Sequence, residues 1–269
     1  MNLLNPPRLD KAQVRRSFNR SAQGYDRSAV LQVEVLKRLL ERLDYIKLDP
    51  RLILDLGCGT GQAIKPLRKR YRKASLLSLD LADEMLCVAR QRYGLFDRKW
   101  LVNADMERLP IRDDCIDLVF SSLALQWSND LPATFGEFSR VGRPGGLLMF
   151  TTFGVNTLSE LRQAWASVDD RARVHQFLDM HDIGDMMMGA GLSQPVMDVE
   201  EIVVDYASVR ELLADLKGIG ATNAERTRSR GLLTASKMRA LESAYRQVGF
   251  KNGRFRTTYE VVYGHAWFV

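Results

Sequence analysis

Apolar residues recur along the chain with two periods, and the switches between them predict the order of its elements. Val33, Leu36, Leu39, Leu40 and Leu43 fall three and four residues apart, the spacing of a helix with one apolar face. A short apolar run, Ile53-Leu54-Asp55-Leu56, reads as a buried strand closed by glycines at 57, 59 and 61, with a helix expected from about Gln62 to Arg70. Further strands are predicted over Ala74 to Asp80, Lys99 to Asn103, Ile116 to Phe120, Leu147 to Phe153, Val196 to Val204 and Thr257 to Trp267. Helical spacing covers Leu131 to Val141, Asn156 to Val168, His181 to Gly189, and two stretches between Val209 and Gln247. Alternation of strands and helices predicts an α/β fold: a mostly parallel sheet of seven strands with helices on both faces. The expected organisation is an N-terminal helical cap (1–48), a core (49–206), a helical lid insertion (207–253) and a last strand (254–269) that completes the core sheet.

Composition changes this picture little. A chain of 269 residues, 46% of them hydrophobic, can bury one sizeable core with an elaboration. Cys58, Cys87 and Cys115 are odd in number and form no C-x-x-C, which points to a reducing compartment and away from a zinc or redox centre. The start, Met1 to Asp10, lacks the apolar centre of a secretory leader and no run reaches membrane-span length, so a cytoplasmic protein is expected. A net charge of 39 − 33 = +6 suits an anionic partner without naming it. Of two basic clusters, Lys65 to Lys73 ends the helix after the glycines, where cations complement the dipole, and reads as a solvated face. The other, Lys217, Arg226, Arg228, Arg230, Lys237 and Arg239, lies in the inserted segment.

Chemistry concentrates in the glycine turn. Gly57-x-Gly59-x-Gly61 departs from the dinucleotide pattern, whose third glycine would fall on Gln62, and NAD is disfavoured. Asp55-x-Gly57-x-Gly59-x-Gly61 resembles instead the first motif of the Rossmann-like S-adenosylmethionine-dependent methyltransferases. The resemblance implies that the donor's amino-acid end lies over Gly57, Cys58, Gly59 and Gly61, with Asp55 suited to its ammonium. Asp80, at the end of the next strand, is expected to bridge ribose hydroxyls, beside Leu81. Met85 either packs on adenine or fills the core; Asp105, beside Met106, either accepts from the adenine amino group or caps a loop. Ser121 opens the loop that ends in Gln126 and Trp127, which should face the transferable methyl. Phe18, Ala22, Tyr25 and Asp26 resemble the N-terminal segment of small-molecule methyltransferases, which folds over the donor; Arg20 and Tyr25 are then donor contacts.

A narrower resemblance covers nearly the whole chain. Thr157-Leu158-Ser159-Glu160-Leu161, Asp179-Met180-His181-Asp182-Ile183-Gly184-Asp185, Asp215-Leu216-Lys217, Ile219-Gly220-Ala221 and Thr258 to Trp267 are similar to the malonyl-acyl-carrier-protein O-methyltransferase family of biotin synthesis. One departure is His175, where that family leads one to expect Asn. The likeness implies methylation of the free malonyl carboxylate on an acyl carrier protein, giving a methyl ester and S-adenosylhomocysteine. A carboxylate is ionised at neutral pH, so alignment and exclusion of water are needed rather than a strong base. Tyr25, Gln126 and Trp127 are candidates to position the acid, and Arg173, His181, Lys217, Arg226 and Arg228 are candidate substrate contacts, the last two toward an acidic carrier. His175 and His181 are six residues apart with no evident third ligand, so no metal site is expected. The alternative is another small carboxylic acid or a quinone-like molecule. A base-modifying enzyme is opposed by the absence of an amino-methylating Asn/Asp-Pro-Pro-aromatic string after the fourth strand.

Overall fold

A computed structural model describes residues 8–94, 97–168, 174–221 and 234–269. Three helices open it: α1 (Lys11–Ser21), α2 (Tyr25–Ser28) and α3 (Val30–Arg42). Then β1 (Leu52–Leu56), α4 (Ile64–Arg70), β2 (Ser75–Asp80), α5 (Asp83–Ala89), β3 (Trp100–Asn103), β4 (Ile116–Ser122) and α6 (Leu131–Val141) alternate. The second half runs β5 (Gly142–Phe153), α7 (Ser159–Ala166), α8 (Met180–Gly189), β6 (Ser193–Tyr206), α9 (Val209–Gly218), α10 (Ala235–Gly249), β7 (Phe250–Lys251) and β8 (Arg254–Trp267).

The sheet order is β3-β2-β1-β4-β5-β8-β6, with β7 added to β8. β3, β2, β1, β4 and β5 pair in parallel; β8 is antiparallel to β5, β6 and β7. This is the mostly parallel sheet expected, with one hairpin more: Phe250 and Lys251, placed in the inserted segment by sequence, pair with Phe255 and Arg254.

Alternate strand positions feed opposite faces, as the pleat requires. Ile53, Leu118, Phe120, Leu147 and Met149 pack with α3, α4 and α5; Leu54, Leu56, Val119, Leu148 and Phe150 pack with α6 and α8. Met187 is fully buried in the second layer while Met188 is exposed, so the methionine run is mainly filling. A third cluster joins α7, α9, α10 and the starts of β8 and the end of β6 around Leu161, Trp165, Tyr206, Leu212, Tyr245 and Phe255.

Two boundaries differ for local reasons. The helix after the glycines begins at Ile64, because residues 60–63 are spent in turns, Gly61 N–H donating to Cys58 O and Ile64 N–H to Gly61 O. β5 begins at Gly142 rather than Leu147, because the segment is tied to the last strand: Gly145 N–H donates to Phe268 O and Phe268 N–H to Gly146 O.

Candidate active site

The order of strands turns back at β1 and β4, so the glycine turn and the loop after β4 stand side by side, the crevice in which open parallel sheets take ligands. Gly57, Gly59 and Gly61 all adopt positive φ (67°, 52° and 78°). A Cβ on Gly57 would lie 2.3 Å from Ala124 Cβ, whereas one on Gly59 would meet nothing within 4 Å. Gly57 therefore lets the two loops touch, and Gly59 leaves open space for a ligand's approach. Gly57 and Cys58 donate to Leu79 O at 2.8 and 3.0 Å, and Gly59 N–H donates to Asp80 Oδ2 at 2.8 Å.

Asp80 accepts also from Ala82 N–H, at 2.8 Å, yet burial pushes its carboxyl up to about 6 despite these donors. Asp55 is 3% exposed and its Oδ2 has no hydrogen-bond partner; burial, with the charge of Asp80 second, raises it to about 7. Two acids beneath one turn, destabilised as anions, favour a cationic ligand that would restore their charge. Tyr25 is raised as well, by burial first and then by Asp80 and Asp26, so its phenol stays protonated.

The N-terminal cap is latched onto the turn. Asp26 accepts from Thr60 Oγ1 at 2.6 Å and Gln62 Nε2 at 2.9 Å, and pairs with Arg92. α1 crosses the crevice: Lys11 bonds Asp105 at 2.9 Å and Glu107 at 2.8 Å, Asn19 Nδ2 and Arg15 reach Asp83, and Leu9 N–H donates to Asn129 Oδ1 at 2.6 Å. Phe18 meets Trp127 edge-on at 5.2 Å, and Ala22 packs with Ala82 and Met85.

Two cavities result. A narrow one of about 80 Å³ lies over Gly57, Gly59, Asp80, Leu81, Met85, Asp105 and Met106. A larger one of about 320 Å³ is walled largely by apolar side chains of α7, α9, β5 and β8, including Phe153, Leu161, Trp165, Leu213 and Tyr259. Phe18, Tyr25, Leu123 and Trp127 line both, so the chambers meet at an aromatic constriction. Leu123 and Leu158, on the chamber wall, hold φ of 50° and 57°, the left-handed strain that side chains rarely adopt except where surrounding structure imposes it.

Several expected residues stand elsewhere. Ser121 is buried and donates to Leu56 O at 3.0 Å; its neighbour Ser122 faces the cavity instead. Asp55, Cys58 and Gly61 lie beneath the turn rather than on the cavity wall, and Gly61 is set by close packing on Ile64 and Ala89. Arg20 is exposed and not on the wall of either cavity. His181 is 78% exposed, its ring held by Asp179 at 2.7 Å at the start of α8, well away from the chamber lining. Gln126 is on the wall, but its amide donates to Leu123 O at 2.7 Å and accepts from Thr152 at 3.4 Å. Asp105 gives one oxygen to Lys11 and to Glu107 N–H. Lys217 reaches the chamber from an exposed position, while Arg173, Arg226 and Arg228 lie outside the described residues. His175, the departure from the expected Asn, lines the chamber with its ring 5.5 Å from Trp127. Among the described residues no group of three potential metal ligands occurs.

Sequence reading gave no site role to Lys11 or Gln32, nor to Asp215 and the start of α7, which it used only as motifs of the resemblance. Lys11 precedes any recognisable motif, and the rest follow only from how helices far apart in sequence fold over one crevice.

The methyltransferase-domain family matches residues 54–150. A malonyl-[acyl-carrier protein] O-methyltransferase of Halorhodospira halophila is 51% identical over 268 residues, covering 99% of this chain and 91% of the relative. This chain belongs to that family. The protein of the same name from Gallionella capsiferriformans is 48% identical, covering 96% of this chain and 91% of its own. Among solved structures, YcgJ of Bacillus subtilis superposes with a TM-score of 0.61 at 16% identity, over 87% of this chain and 98% of that one. Geranyl diphosphate methyltransferase in complex with GPP and sinefungin gives 0.52 at 17% identity, over 87% of this chain and 77% of that one, and both share the fold. The family-matched residues span the glycine turn, Asp80, Asp105 and the strand leading to Trp127, which is the floor of the smaller cavity.

Proposed function

We propose that the chain transfers a methyl group from S-adenosylmethionine to the free carboxylate of a malonyl group carried on an acyl carrier protein, giving a methyl ester for biotin synthesis. The single observation that carries this reading is the pair of chambers meeting at Phe18, Tyr25, Leu123 and Trp127, one floored by glycines and acids, the other apolar. The names of relatives at 51% and 48% identity supply the acceptor.

The donor supplies an electrophilic methyl on a sulfonium, so a carboxylate oxygen's electron pair makes the O–CH3 bond, the S–CH3 pair returns to sulfur, and no proton moves. The residues present fit it: Gly59 leaves its cradle open, Asp80 offers buried acceptors for hydroxyls, and the unpartnered Oδ2 of Asp55 adds negative charge beneath a cation. Leu81, Met85, Asp105 and Met106 would flank the adenine and Tyr25 the amino-acid end. Trp127 and Phe18 narrow the passage and exclude water, and the apolar wall strips the acceptor of its hydration. Lys217, at the exposed rim, with Arg226 and Arg228, would meet an acidic carrier. Three free cysteines suit a reducing cytoplasm, and no helix of the described residues is long and apolar enough to cross a membrane.

The test is transfer of labelled methyl from S-adenosylmethionine in the presence of malonyl-carrier, malonyl-coenzyme A, free malonate or RNA. Base-labile label on the malonyl-carrier is the expected result. Label on RNA and none on a malonyl compound would overturn the reading.

A further inference from the structure

Gln32, in the first turn of α3, lines the larger chamber, and its Oε1 is buried without a hydrogen-bond partner. Leaving such a group unsatisfied is unfavourable, and a bound ligand can remove that penalty. A half-turn about the last side-chain bond exchanges the amide's oxygen and nitrogen, so the same position can present a donor.

On the same wall, Gln126, Thr157, Asp215 and Lys217 are occupied or ill-suited to hold an anion inside the chamber, whereas the Tyr25 phenol sits at the constriction shared with the smaller cavity. Gln126 is tied to Leu123 O and Thr152. Thr157 donates to Glu260 O at 2.9 Å and accepts from Glu260 N–H at 3.0 Å. Asp215 accepts from Tyr206 at 2.9 Å and would repel a carboxylate. Lys217 is exposed, so its ammonium stays at the mouth.

We propose that Gln32 anchors the acceptor carboxylate, its Nε2–H donating to the oxygen that is not methylated. This rests on the carboxyl-methylation reading and names the contact that holds the acid. A neutral anchor suits the reaction, because the carboxylate's charge disappears as it meets the sulfonium. A cation in that place would stabilise the charged ground state more than the transition state and lower the rate once bound. The apolar wall adds to the same effect by leaving the two opposite charges little water to prefer. An amide orients the acid through one hydrogen bond and forfeits little when the ester forms.

The experiment measures initial rates on malonyl-carrier with the full chain, alongside calorimetric affinity for S-adenosylmethionine. Gln32→Leu should lower kcat/KM by roughly 10- to 100-fold, as expected for losing a buried hydrogen bond to a charged group, with donor affinity within about two-fold of the parent. Gln32→Lys should split the constants: KM falls, because the ion pair binds the acid, and kcat falls with it. Gln32→Glu should be inactive at neutral pH and regain activity as the pH is lowered. A Gln32→Leu protein with kcat/KM within about two-fold of the parent, or a Gln32→Lys protein with higher kcat, would overturn the anchor. If Gln32→Leu does not fold, Gln32→Asn decides: its amide stops one carbon short, so lost kcat/KM at unchanged donor affinity supports the contact and retained kcat/KM removes it. Failure of the parent chain to label any malonyl compound would instead sink carboxyl methylation itself.

Discussion

Asp55 and Asp80 are held as reluctant anions, at about 7 and about 6, because burial removes the water that would solvate their charge. A carboxyl raised above its unfolded value stabilises the fold at low pH, and that contribution is lost as the pH rises through the folded value. Asp55→Asn should therefore raise Tm relative to the parent at pH 8, with a smaller gain at pH 5, in thermal melts of the ligand-free chain. Binding runs the other way. A cationic donor with hydroxyls prefers both acids ionised, so its affinity should climb between pH 5.5 and 7.5 when followed by calorimetry, and Asp80→Asn should weaken it at least roughly 10-fold. Asp80 was legible in sequence from its place at the end of β2. That Ser122 rather than Ser121 faces the crevice was not, because a one-residue step reverses the side of a strand and the loop geometry decides where alternation stops.

At the scale of elements, the glycine turn and the loop after β4 lock together. Gly57→Ala would set its methyl 2.3 Å from Ala124 Cβ on a backbone of φ 67°. The left-handed backbone alone costs about 1–2 kcal/mol, and the clash adds to it. The variant should lose donor binding and melt several degrees lower in a calorimetric scan. α10 is fixed to the sheet by Tyr245, whose hydroxyl donates to Arg256 O at 2.9 Å and sits 2.8 Å from Thr257 Oγ1. Tyr245→Phe leaves those partners buried and should destabilise the chain by about 1–3 kcal/mol in urea titration. The helices of this region were readable from their apolar spacing; the structure adds side-chain caps at Ser208 and Thr234. The short β7 was not, since two residues carry no periodicity and pair only because Asn252 and Gly253, both at positive φ, fold Phe250 back on Phe255.

Across the whole molecule, the net charge of +6 gains meaning from where free cations lie. Arg68 and Arg70 in the first basic cluster are paired with Asp97 and Asp44, which fits the solvated face expected there. Lys217 stands at the rim of the larger chamber. Charge reversal at Arg226 and Arg228 together should raise KM for malonyl-carrier at low salt and leave malonyl-coenzyme A turnover nearly unchanged; equal KM values would remove carrier docking from this segment.

Residue order by itself determined the run of strands and helices, the glycine turn with its acid at the next strand end, and the resemblance to a carboxyl methyltransferase. These depend on periodicity, local backbone freedom and motif spacing, all written within a few tens of residues. Tertiary structure alone decided the larger chamber. Its wall draws Gln32 from α3, Trp127 from the loop after β4, Trp165 from α7 and Lys217 from α9, residues far apart in sequence whose meeting is fixed by packing over the end of the sheet. It also decided which polar groups were already satisfied, and so why Gln126, well placed by motif, is spoken for while the amide of Gln32 keeps a buried oxygen unpaired.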